Sequence, residues 1–134
     1  MVVATRRGEL VYPKHRFSPE DTLTFVHLEP FSQVWEELGL DLIDLHDVEV
    51  LIMAAPKAGK VIPGTHGLRK IRFAPMDWNV GKSGALRICY VYFEAHSKVL
   101  LTIVYPKGRK TTITPREKAM INRLIDSIEQ EFDR

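Results

Sequence analysis

The sequence predicts an α+β fold on three observations: a period-two strand signal near the start, two helical stretches behind it, and three further strand signals leading into a capped C-terminal helix. The implied order is strand, helix, helix, three strands, helix. The expected architecture is a small, mostly antiparallel four-stranded sheet, with two N-terminal helices and one C-terminal helix packed on one face. At 134 residues, 45% apolar and 27% charged, the chain is sized for one domain with its own core, which excludes a multidomain enzyme.

Residues 1–20 have mixed charge, two prolines and little periodicity, so they are expected to be a flexible N-terminal extension ahead of a single domain over 21–134. In 22–28 (TLTFVHL), Leu23, Phe25 and His27 alternate onto one side, and Pro30 ends the strand. A short helix over 32–38 stops at Gly39. Asp41 caps a second helix whose apolar positions are Leu42, Leu45, Val48, Leu51 or Ile52, and Ala55, until Pro56 closes it. A Gly- and Pro-marked loop (KAGKVIPGTHG) precedes 68–73, which alternates basic and apolar residues. The apolar runs 85–93 and 99–105 complete an antiparallel meander. Thr114, Pro115 and Glu117 spell an N-cap, a first-turn proline and a capping-box acid. Met120 or Ile121, Leu124, Ile128 and Phe132 form the core stripe of the helix that follows.

A near-neutral total hides a partition of charge. Residues 17–56 hold nine acids and no Lys or Arg, whereas 57–110 hold eleven Lys and Arg against Asp77 and Glu94 alone. Such asymmetry aims a basic surface at a polyanion, nucleic acid first among them, although two solvated faces would look the same. No apolar run approaches a membrane span and the N-terminus has no signal-peptide h-region, so a cytoplasmic protein is expected. Cys89 stands alone inside ICYVYF; that excludes an internal disulfide and reads as packing before it reads as a nucleophile.

Lys70 and Arg72 are two apart and therefore share one face of a strand, while Ile71 and Phe73 point into the core. Antiparallel pairing brings Arg87 beside them, and Lys107, Arg109 and Lys110 follow the next strand. The histidines are scattered and no carboxylate pair accompanies these cations, so the expected chemistry uses neither metal nor cofactor. RNA permits this, because its own 2′-hydroxyl can attack the adjacent phosphate while cations stabilise the transition state. A lysine crowded by Arg72 and Arg87 is one candidate base, and His66 in the GTHG loop is a rival, set against the plainer reading of a solvent-facing turn residue.

The stretches VIPGTHGLRKIRF (61–73), GKSGALRICYVYF (81–93) and LLTIVYPKGRKTTITPREK (100–118), with the closing helix, resemble the RelE/HigB toxins of bacterial toxin–antitoxin systems, within the RelE/ParE superfamily. The resemblance covers about residues 22–133 and lies closest to the HigB-type branch. It implies a RelE-like fold and a toxin that acts as a ribosome-dependent, metal-independent mRNA endoribonuclease and inhibits translation. It also implies a cognate antitoxin with a helix-turn-helix domain, so that operator DNA is reached only through that partner and no membrane is involved. Carried over by position, Lys70, Arg72, Arg87 and Lys107 would be catalytic, with Arg109 as the alternative to Lys107. Arg69, Lys82, Arg109, Lys110 and His66 would hold RNA. The chain departs from the pattern in having His66 where glycine is usual, and Thr112 and Thr114 where some relatives place a stacking tyrosine; Tyr105 and Trp78 are the aromatic substitutes nearby. Two other functions are open: a non-enzymatic ParE-like inhibitor of DNA gyrase, whose sheet generally lacks clustered cations, and a degenerate relative that binds RNA or antitoxin without cutting.

Overall fold

A computed structural model describes residues 22–78, 85–109 and 112–134, together with the backbone of three short strands upstream. Those strands, β1 (Val3–Ala4), β2 (Leu10–Tyr12) and β3 (His15–Phe17), pair antiparallel in the order β1-β2-β3. The sequence assigns no fold role to this region because strands of two or three residues are too short to display a period.

The main sheet has five strands, not four, and is mixed. Its members are β4 (Thr24–His27), β5 (Lys60–Val61), β6 (Leu68–Phe73), β7 (Leu86–Phe93) and β8 (Lys98–Pro106), in the order β4-β8-β7-β6-β5. The meander β6-β7-β8 is antiparallel as expected, whereas β4 runs parallel to β8, with Thr24 opposite Lys98 and His27 opposite Leu101. The additional strand, β5, lies inside the predicted loop and pairs Lys60 with Lys70 and Val61 with Arg69.

Between β4 and β5 stand helices α1 (Glu29–Glu37) and α2 (Leu42–Ala54), and α3 (Pro115–Phe132) closes the chain. Pro30 both stops β4 and occupies the first turn of α1, where a missing N–H costs no hydrogen bond. Asp41 and Asp44 form a reciprocal capping box on α2, and Thr114 and Glu117 form the expected one on α3.

The helices do not share one face of the sheet. Phe31 and Trp35 of α1 and Leu45, Val48 and Ile52 of α2 pack on Phe73, Leu86, Ile88, Tyr90, Val99 and Leu101. On the opposite face Ile121, Ile125, Ile128 and Phe132 of α3 cover Leu68, Val91, Phe93 and Leu100. Cores on both faces explain why β7 is apolar almost throughout: its alternate residues serve different helices. Three stripe assignments also shift. Leu42 is 71% exposed at the head of α2, Ala55 is exposed just past its end, and Ile125, not Leu124, is the buried anchor of α3.

Candidate functional site

Alternation along β6 sends Ile71 and Phe73 to the α1–α2 side, so Lys70 and Arg72 project from the face that α3 partly covers. Arg87 and Cys89 of β7 have that same orientation, because Leu86 and Ile88 belong to the α1–α2 core. The register then lines up two rows across the strands. One row runs Arg72, Arg87, Tyr105 and the other Lys60, Lys70, Cys89, Ile103. Neighbours in a row stand about 5 Å apart, and Lys70 and Arg72 stand about 7 Å apart along the strand. Four cations, Lys60, Lys70, Arg72 and Arg87, are therefore gathered on one sheet face.

The electrostatics agree with the register. Burial pushes the Cys89 thiol up to about 11, and the Lys70 ammonium partly offsets that rise. Burial and the neighbouring Cys89 raise the Tyr105 phenol, with the Arg87 guanidinium acting in the opposite direction. The Arg87 guanidinium also lies 3.5 Å from the Leu86 carbonyl oxygen. Lys60 and Arg72 are exposed on this face, and Lys70 and Arg87 are half-buried. The C-terminal Phe132 of α3 meets Phe93 edge-on at 5.2 Å and has Lys98 Nζ 4.7 Å from its ring, so that terminus is fixed at the β7–β8 turn, away from the cations.

Lys60 owes its place to a clamped loop. Tyr90 Oη donates to the Pro56 carbonyl at 2.7 Å and accepts from the Gly59 N–H at 3.2 Å. Arg69 Nη1 donates to the carbonyls of Lys57 and Gly59 at 3.0 and 2.8 Å. Only glycine fits at 59, since a Cβ there would stand 2.6 Å from Tyr90 Oη. Because β5 begins only at Lys60, opposite Lys70, the outer edge of β6 has no strand partner beside Ile71 and Arg72. A cleft of about 610 Å³ lies along that edge, lined by Ala54, Ala55 and Ala58, by Ile71 and Tyr90, and by Lys60, Lys70, Arg72 and Arg87.

The remaining candidates separate from this group. Arg69 faces the opposite side of the sheet and spends its guanidinium on the loop. His66 is engaged with α3: its N–H donates to Asn122 Oδ1 at 2.8 Å and its Nδ1 lies 2.9 Å from Asp126 Oδ1. Asn122 in turn donates to the Gly64 carbonyl, and Thr65 bonds Ile62 and Leu68, so the PGTHG turn is a strut between β6 and α3. Lys107 is exposed, and its backbone bonds Ala85 at the Arg87 end of the sheet; Arg109 is exposed one turn further on. Lys82 and Lys110 lie outside the described residues. Tyr105 is half-buried against the α3 core, Trp78 packs on the α1–α2 core, and Thr114 is committed to its cap.

Sequence reasoning missed Lys60, Gly59 and Tyr90. Lys60 belongs to the basic run, but a two-residue strand carries no periodic signal that would align it with Lys70. Among the described residues no three His, Cys, Asp or Glu side chains are gathered as a metal ion would require, and no helix is long and apolar enough to cross a membrane. No known protein-family model matches the chain.

Proposed function

We propose that this protein is the toxin of a toxin–antitoxin module and cuts mRNA on the ribosome as a metal-independent endoribonuclease. The observation that carries the reading is the convergence of Lys70, Arg72 and Arg87 on one sheet face, in the lining of a cleft. In this reading the 2′-oxygen of one nucleotide attacks the adjacent phosphorus, the bond to the 5′-oxygen breaks, and a 2′,3′-cyclic phosphate and a 5′-hydroxyl result. Arg72 and Arg87 stabilise the crowded dianionic phosphorane, a contribution worth roughly a hundred- to a thousandfold in rate for one preorganised donor. Guanidinium groups stay charged, so proton exchange within the cluster falls to an amine, Lys70 first. Lys107, anchored on Ala85, supplies a further cation at the same end of the sheet. An antitoxin carrying a helix-turn-helix domain would hold the toxin inactive, and the complex would reach operator DNA through that domain.

The test is induction of the wild-type chain and of Lys70→Ala/Arg87→Ala in a bacterial host, with mRNA 5′ ends mapped by primer extension. New ends inside translated frames, absent from the double variant and from untranslated transcripts, are expected. Growth arrest without new ends would transfer the reading to a gyrase-type target, and no arrest at all would leave a non-cutting RNA- or antitoxin-binding relative.

A further inference from the structure

We propose that the cleft beside the cations is a nucleobase seat: it takes one unstacked base of a nucleotide whose phosphate rests on Lys70, Arg72 and Arg87. This rests on reading those cations as phosphate contacts and adds the part of the substrate that they cannot recognise. Three observations carry it. The lining of the cleft is of two chemical kinds, apolar side chains from α2, the following loop and the sheet (Leu51, Ile52, Ala54, Ala55, Ala58 and Ile71, with the Tyr90 ring) and cations from β5, β6 and β7. A flat apolar ring attached to an anion has that same division. Its volume, about 610 Å³, lies within the range of small-molecule sites.

The third observation is rigidity. The loop forming the apolar wall is held to the sheet by two bonds to Tyr90 Oη and two from Arg69, and Gly59 is pressed against the Tyr90 ring. A wall fixed before the ligand arrives costs little ordering entropy on binding, which suits a seat better than a passive surface groove. The small residues Ala54, Ala55 and Ala58 are all exposed, so nothing in the core demands their size. They leave room where larger side chains would fill the cleft.

The seat would serve a strand of RNA or a free nucleotide, which share this chemistry, and the experiment separates them. Binding of a short labelled single-stranded RNA to the full chain is measured at low salt, alongside the same RNA with an abasic site at each position in turn. One abasic position is expected to weaken binding about 10- to 70-fold, the value of burying roughly 60–100 Å² of ring surface at about 25 cal/mol per Å². The cleft-filling variant Ala54→Leu/Ala58→Leu, which leaves every cation in place, is expected to bind natural and abasic RNA alike. Competition by a mononucleotide at concentrations comparable with the RNA would identify the free nucleotide as the ligand. Equal binding of natural and abasic RNA by the wild type, no binding of either, or retained base sensitivity in the filled variant would overturn the seat. These readouts need no cleavage, so an inactive chain with a working seat and an active chain without one are distinguishable.

Discussion

Cys89 shows how one residue's chemistry follows from its place in a row. It is fully buried, it faces the α3 core, and Lys70 stands opposite it. Burial favours the neutral thiol strongly enough to outweigh the nearby ammonium, which takes its pKa to about 11 against an ordinary value of 9.0. The folded chain therefore holds a proton that the unfolded chain releases across that interval, and stability must fall as the pH rises through it. A shift of this size corresponds to a loss on the order of 2 kcal/mol by pH 10.5. Urea denaturation at pH 8 and pH 10.5 should show the loss in the wild type and a smaller one in Cys89→Ala. Tyr90 and Tyr105, both also raised by burial, contribute to the residual. Equal losses in the two proteins would mean that the thiol is not protected as its burial implies.

Elements were legible in the sequence where a signal runs for several residues or has a dedicated chemistry. The β6-β7-β8 meander follows from its alternation and apolar runs, and the start of α3 follows from the Thr114, Pro115, Glu117 triplet. Illegible were β5, too short for a period, the parallel pairing of β4, which depends on where the chain returns, and the division of helices between two faces. The same limit decided the site: alternation placed Lys70 and Arg72 together and turned Arg69 to the other face, but only the register added Lys60. The α3 cap is testable by itself. Thr114 accepts from the Glu117 N–H at 3.2 Å, and the Glu117 carboxylate bonds the Thr114 N–H in return. Thr114→Ala should cost about 1 kcal/mol in chemical denaturation, and a serine there should restore most of it. An unchanged midpoint for the alanine variant would mean that packing of Ile121, Ile125 and Ile128 alone sets the start of the helix.

At the scale of the whole molecule, a net charge of +2 describes no part of the surface. The acids of residues 17–56 include those carried by α1 and α2, while Lys60, Lys70, Arg72 and Arg87 lie on the sheet face turned away from those helices. Where α2 does border those cations, at the cleft, it contributes the apolar Leu51, Ile52 and Ala54 and none of its acids. Binding should then behave as counterion release from a local patch, whatever the total charge. The logarithm of RNA affinity should fall linearly with the logarithm of salt concentration, and each cation that touches a phosphate should contribute about 0.7 to the slope. Lys60→Ala, Lys70→Ala and Arg72→Ala should each flatten the line by about that amount. Glu36→Gln/Glu37→Gln changes the total charge by more than any one of them, yet its residues sit on exposed positions of α1 and its slope should match the wild type. If the acid-to-amide pair altered the slope as much as a single lysine did, affinity would be tracking net charge, and the cation face would have no special claim on the RNA.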